Sequence, residues 1–281
     1  MPIILSLSQY NGELWAAGPE GLFRVEDGEL SSLLQPQAEL ACCAVTDTHL
    51  LVGGAPHGVA FTADKANWQA AWMDGVPGPV LCLAVDPRVE ETGVVLAGSM
   101  EGGVLRSHNR GRTWTVCNFG LQDFVVLSLA WAPPAPAARW PRWEVVFAGT
   151  ESGLYRSPNG GRGWRRVDGM DAVAQVIAVA PDFHSSGLVL VGTEDRGLWR
   201  SADGGHSFAR VDGAPDRVDA LTATADGWLL SDDQGLLHSP DGLTWTRVDG
   251  ATPALILLNT KDGVWAGNES GIARVEVASP A

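Results

Sequence analysis

The sequence predicts an all-β fold, a single seven-bladed β-propeller with four-stranded antiparallel blades. Three observations carry that expectation. First, the stretch Gly153–Trp164, Gly-Leu-Tyr-Arg-Ser-Pro-Asn-Gly-Gly-Arg-Gly-Trp, recurs along the chain in more or less complete form, its opening glycine falling at 21, 58, 103, 153, 197, 235 and 271. Second, those glycines are 37, 45, 50, 44, 38 and 36 residues apart, close to the period of about 40–45 residues that marks one propeller blade per repeat. Third, each repeat carries short apolar runs of strand length punctuated by Gly, Asp and Ser, and no stretch sustains a helical period.

The elements follow in order. Blade one (1–38) supplies Ile3–Ser8, Leu14–Ala17, Leu22–Val25 and Leu30–Leu34, and blade two (39–77) supplies Ala41–Val45, Leu50–Val52, Val59–Thr62 and Trp68–Trp72. Blade three (78–122) has Val80–Val85, Val94–Ala97, Val104–Ser107 and Thr113–Cys117; blade four (123–172) has Val125–Trp131, Val145–Ala148, Leu154–Ser157 and Trp164–Val167. Blade five (173–216) contains Val176–Val179, Leu188–Gly192, Gly197–Arg200 and Phe208–Val211, and blade six (217–251) contains Ala220–Thr224, Trp228–Ser231, Leu236–Ser239 and Thr244–Val248. Blade seven (252–281) offers Ala254–Leu258, Val264–Ala266 and Ile272–Val277. It has either three strands or a short fourth from 276–279, and the ring then closes by face-to-face packing of blades one and seven.

After the third run of most repeats comes Ser-x-(Asp/Asn)-x-Gly-x-(Thr/Ser)-(Trp/Phe), or a near copy: Ser107–Trp114, Ser157–Trp164 and Ser201–Phe208 are full length, Ser239–Trp245 is one residue shorter, and Thr62 to Trp68 is weaker. The residue types suit a tight turn. Asp or Asn accepts hydrogen bonds from the backbone just ahead, glycine takes positive φ, and the aromatic buries a large apolar face. These segments resemble the Asp-box of the BNR-type propellers over nearly the whole chain. The resemblance implies a turn between third and fourth strands, with Asp64, Asn109, Asn159, Asp203 and Asp241 in a structural role. Sialidases, xyloglucanase-type glycosidases, sorting receptors and photosystem-II assembly-factor-like propellers share that likeness while doing different things, so fold leaves function open.

Charge narrows the partners. With 33 acidic and 19 basic residues the formal net charge is −14, which disfavours nucleic acid and anionic membrane surfaces, both of which need clustered cations. No apolar run is long enough to span a bilayer. The start, Met1-Pro-Ile-Ile-Leu-Ser, lacks a basic leader region and reads into the first strand, so the expectation is a cytoplasmic protein. Of the four cysteines, Cys42 and Cys82 occupy matching places in two first strands, a column shared with Ser6 and Ser128. Small residues at a crowded position, with reduced thiols, account for them; their spacing matches no zinc motif.

In an antiparallel meander, connections alternate between the two faces of the disc. The second-to-third and fourth-to-first connections share one face and hold seventeen of the carboxylates against two cations, Arg196 and Arg217. Two residues before the repeat glycine, a column reads Glu101, Glu151, Asp195, Asp233 and Glu269, while Glu20 and His57 stand beside the prolines of the first two repeats. These are either ordinary exposed turn residues or a partial carboxylate ring that draws a divalent cation or a basic ligand to the channel mouth by field focusing. No other cofactor is implied. The opposite face carries an arginine column, Arg24, Arg106, Arg156, Arg200 and Arg274, completed by Phe61 and His238. Spread one to a blade, these arginines do not converge as a sialidase requires, and they suit pairing with neighbouring turns or carbonyls. An insertion in blade four, Ala132-Pro-Pro-Ala-Pro-Ala-Ala-Arg-Trp-Pro-Arg-Trp143, puts Trp131, Trp140 and Trp143 beside two arginines, residue types suited to an interface or to packing beneath the ring.

No Gly-x-Ser-x-Gly elbow, P-loop, HExxH or dinucleotide fingerprint occurs. The expectation is a non-catalytic binding or scaffold propeller presenting its acidic face to a protein or small ligand. The alternative is a hydrolase, directed at a glycan or lactone, using carboxylates or a divalent cation at the same mouth. No motif specifies an oligomeric state.

Overall fold

The computed structural model describes residues 1–34, 39–56, 58–75, 78–136 and 144–275. The chain folds into seven antiparallel sheets arranged as a seven-bladed β-propeller. Blades one to six are each built on a four-strand meander in chain order, to which blade three adds a fifth strand. The first strand of every blade, from Ser6–Tyr10 in blade one to Ile256–Thr260 in blade seven, lines a central channel of about 850 Å³. Second strands such as Val95–Ser99, Val146–Thr150 and Val189–Thr193 are buried along their whole length, because neighbouring blades cover both faces of each sheet.

Packing between blades explains the small residues that punctuate these strands. A Cβ added at Gly98 would fall 2.5 Å from Cys82 Sγ and 2.7 Å from Val126 Cγ1, so glycine here is the space into which the thiol and the next blade's valine pack. Cys42 repeats the arrangement one blade earlier, its Sγ donating to Val80 O at 3.8 Å. All four cysteines are free, and burial pushes the thiols of Cys43 and Cys82 up to about 12.

Several elements depart from the sequence reading. The fourth strands of blades four, five and six shrink to the two-residue ladders Arg165–Arg166, Ala209–Arg210 and Thr246–Arg247, because the turn before each consumes the residues in front of it. The run Trp68–Trp72 splits. Gln69–Ala70 closes blade two, then the chain changes partner, and Trp72–Met73 lies parallel to the outer strand Thr113–Val116 of blade three as its fifth strand. Two single helical turns, Val89–Thr92 and Phe183–Ser186, occupy the first-to-second connections of blades three and five. Each is too short to show a period and ends on a left-handed glycine, Gly93 or Gly187.

Among the described residues blade seven has three strands, Ile256–Thr260, Gly263–Asn268 and Gly271–Val275; residues 276–279, the alternative fourth strand, lie outside them. The ring closes where Ile4 N donates to Asn268 O at 3.0 Å, and where Ile4, Leu7, Leu14 and Phe23 of blade one pack with Ile256, Leu258 and Trp265 of blade seven.

Candidate functional site

The two faces of the disc differ in how their polar groups are used. On the face carrying the Ser-x-(Asp/Asn) turns, the polar groups of the turns themselves are engaged. In blade five, Gly205 N donates to Ser201 Oγ at 2.9 Å, while Asp203 Oδ1 accepts from Ser201 Oγ, His206 N and Ser207 N, and Asp203 Oδ2 accepts from Ser207 Oγ at 2.6 Å. Burial works against the Asp203 carboxylate, but hydrogen bonds from the Ser207 hydroxyl and the backbone outweigh it and hold its pKa well below the usual range. Asn109, Asn159, Asp241 and Asp64 accept from the backbone of their own turns in the same way. Asp64 is likewise held low, chiefly by the Asn67 N–H.

These turns also join the blades. Trp114 is fully buried and donates Nε1 to Gly111 O, and Trp164 Nε1 reaches back to Cys117 O of the preceding blade. The arginine column completes the junctions: Arg106 Nε donates to Gly160 O of the next blade at 3.1 Å, and Arg156 Nε donates to Gly204 O at 2.8 Å. At the channel end on this face, Tyr10 OH donates to Glu90, which raises the tyrosine's pKa, and Arg110 holds Asp47 through two bonds of 2.6 and 2.8 Å. This network links blades one, two and three, and the sequence reading missed it because its members are far apart in the chain. Trp131 is half-buried and donates Nε1 to Ala84 O of blade three at 3.2 Å, so its indole packs inside the ring. Trp140, Trp143 and His57 lie outside the described residues.

The opposite face is where carboxylates are left free. Glu101, Glu151, Asp195, Asp233 and Glu269 are all exposed. Within the described residues Glu101, Glu151, Asp233 and Glu269 form no ion pair, and Asp195 only approaches Arg196 at 4.0 Å. Glu20 accepts a hydrogen bond from Ile3 N at 3.2 Å. Among the described residues no three His, Cys, Asp or Glu side chains gather closely enough to hold a metal ion.

The charge count on this face needs one correction. Three outer-strand arginines reach it and pair with its loop acids: Arg166 with Asp171 at 2.7 Å, Arg210 with Asp216 at 2.5 Å, and Arg247 with Asp232 at 2.6 Å. Arg217 pairs with Asp219 at 2.6 Å. Counting loops alone had assigned those three arginines to the rest of the molecule. The residual excess of negative charge is therefore spread over the column Glu101, Glu151, Asp195, Asp233 and Glu269 and eight other loop carboxylates, among them Asp74, Asp168, Asp212 and Asp249.

Nor is the channel mouth on this face itself acidic. At or beside the start of the inner strands stand Leu5, Ala41, Leu81, Leu127, Gln175, Asp219 and Leu255, and all line the channel. The two polar members are engaged, Gln175 Nε2 with Val218 O at 2.6 Å and Asp219 with Arg217. On the same face Met100 and Phe124 are each 46% exposed, Met100 N donating to Pro79 O and Gly103 N to Phe124 O. The leucines stand at matching positions of the repeat, a column that sequence inspection could have found. It was obscured because leucine in a strand reads as core.

No protein-family model and no curated protein sequence matches the chain. Solved structures do. An extracellular domain from B. thetaiotaomicron, assigned to a one-component system, is 15% identical with a TM-score of 0.73 over 96% of this chain and 38% of that one. The GH74 xyloglucanase from Xanthomonas campestris is 16% identical with a TM-score of 0.74, covering 96% of this chain and 51% of that one. The WD40 β-propeller domain of Doa1 is 13% identical with a TM-score of 0.70 over 97% of this chain and 92% of that domain. The likeness is one of fold. The chain spans 38% of the length of the B. thetaiotaomicron extracellular domain it resembles and about half that of the xyloglucanase.

Proposed function

We propose that the protein is a binding platform whose ligand is a protein segment carrying an apolar side chain flanked by lysine or arginine. The observation that carries this reading is the pairing of an aliphatic mouth (Leu5, Leu81, Leu127, Leu255) and the exposed Met100 and Phe124 with the unpaired carboxylates Glu101, Glu151, Asp195, Asp233 and Glu269 on the same face. Exposed apolar groups rimmed by charge are the mark of an interaction surface. The leucines supply affinity by excluding water, and the outer carboxylates supply orientation and encounter rate. Fold likeness to both a glycosidase and a WD40 domain does not choose between catalysis and scaffolding. The polar groups at the mouth favour scaffolding, because Gln175 and Asp219 are already committed to partners and leave no free acid–base pair there.

The test is a random peptide array probed with the wild-type protein and with a Glu151→Lys, Asp195→Lys, Asp233→Lys variant. Captured sequences should be enriched in an apolar residue between Lys or Arg. The variant should bind them about tenfold more weakly, and moderate salt should erase much of that difference. Enrichment of acidic or uncharged sequences, or equal capture by the variant, would sink the reading.

A further inference from the structure

On the other face, a groove of about 790 Å³ runs between blades four and five. Val145, Trp164, Val167 and Phe183 give it an apolar floor, and Phe119, 84% exposed, stands at its edge against Gly163. Its charge is opposite to that of the protein as a whole. Arg156 enters from blade four with its Nε bound to Gly204 O, and its two terminal nitrogens have no partner among the described residues.

In the sheet register Arg156 lies directly opposite Arg165, so both side chains leave the same face of blade four. The side chain of Arg165 makes no hydrogen bond or ion pair among the described residues. Like charges placed directly opposite one another destabilise a sheet. The other blades avoid this. The residue opposite the same column is Ser31 in blade one, Gln69 in blade two, Thr115 in blade three, Ala209 in blade five and Thr246 in blade six. The carboxylate lining the groove, Asp203, spends its oxygens on Ser201, His206 and Ser207 and makes no ion pair with Arg156 or Arg165. Burial also lowers the pKa of Arg156, which the nearby Asp203 charge only partly offsets.

We propose that this groove binds a small molecule bearing a carboxylate on an apolar body of one or two rings. The carboxylate bridges Arg156 and Arg165, and the body lies on Trp164 and Phe183 against Phe119. Two planar guanidinium forks match a carboxylate bidentately, and the volume falls within the about 300–1,000 Å³ of small-ligand pockets. The apolar floor disfavours a compact, strongly hydrated anion such as inorganic phosphate.

The probes are 2-naphthoate, its neutral isostere 2-naphthamide, and inorganic phosphate, titrated separately and followed by the Trp164 indole N–H resonance and by calorimetry. Naphthoate should bind with a Kd below about 1 mM, naphthamide at least about tenfold more weakly, and phosphate not measurably at about 10 mM. Arg165→Gln, at an exposed position, should weaken naphthoate by about fivefold or more with the thermal midpoint unchanged or raised, and Phe119→Ser should weaken it without altering the preference for the carboxylate. Equal binding of naphthoate and naphthamide, tight binding of phosphate, shifts centred away from Trp164, indifference to Arg165→Gln, or no binding of naphthoate at all would each overturn the assignment.

Discussion

The junction between blades four and five and the junction between blades five and six are built from the same parts, with one residue of difference. At the first, Gly205 of the blade-five turn receives Phe147 of blade four, and the preceding Gly204 offers its carbonyl to Arg156. At the second, Gly242 receives Leu190 of blade five in the same way, and Ser239 Oγ still caps Gly242 N at 2.8 Å. But the blade-six turn lacks the residue equivalent to Gly204. The arginine that would have used its carbonyl, Arg200, has a buried Nε with no partner among the described residues. His238, the next member of the column, likewise has a buried Nε2 with no partner among the described residues. The cap and the glycine contact thus survive a deletion that the arginine bond does not. A repeat column can be kept in sequence after its structural reason has gone.

The largest separation between the two junctions should come from their glycines. A Cβ at Gly205 would stand 2.2 Å from the ring of the fully buried Phe147, whereas a Cβ at Gly242 would stand 3.2 Å from Leu190 Cδ1. Both residues have positive φ, +80° and +73°, so the backbone cost of alanine, about 1–2 kcal/mol, is common to both. Overpacking adds about 1–3 kcal/mol at Gly205 alone. Gly205→Ala should therefore unfold at clearly lower urea than Gly242→Ala. Equal midpoints would mean that the blades relax apart freely and that the close approach is not what holds them.

A smaller contrast concerns the arginines. Arg106 is a cleaner comparison than Arg156, because it makes the same bond, to Gly160 O, while facing Thr115 rather than a second arginine. Arg106→Met removes that bond and strands a carbonyl, which should cost about 1–2 kcal/mol. Arg200→Met removes a donor that has no acceptor and keeps most of the apolar stem, so its effect should lie within about 0.5 kcal/mol of zero or be stabilising. Urea melts of the two variants decide it. A loss at Arg200 equal to that at Arg106 would show that the orphaned nitrogen has a partner in solution.

How much of this was legible in the sequence depends on the range of the interaction. The seven repeats, their order and the turn chemistry at Asp64, Asn109, Asn159, Asp203 and Asp241 are local patterns, readable because a turn must satisfy its own backbone within a few residues. The missing residue in the blade-six turn was visible too, but its consequence at Arg200 was not, since that depends on which carbonyl faces which blade. The exposed column Glu101, Glu151, Asp195, Asp233 and Glu269 could be assigned to one face by counting connections. The same count misplaced Arg166, Arg210 and Arg247, because a strand has ends on both faces and a long side chain reaches the nearer one. The groove and its Arg156–Arg165 pair were hidden for a related reason. They depend on the register of a two-residue ladder that propensity cannot define.

The last contrast is the one that reverses the deletion. A glycine inserted between Asp241 and Gly242 restores the length of the Ser201–Phe208 turn to blade six and places a carbonyl where Arg200 Nε can donate to it. The turn already has its Ser239 and Asp241 caps, so the insertion adds one flexible residue to a loop that remains anchored at both ends. Ordering that glycine costs about 1 kcal/mol and a hydrogen bond from a charged donor returns about 1.5–3 kcal/mol, so the net gain should be about 1 kcal/mol. It should vanish in an Arg200→Met background, and a double-mutant cycle in urea measures that coupling. A gain that persists without Arg200 would place the benefit in the turn itself, and no gain in either background would mean that the guanidinium and the new carbonyl do not meet.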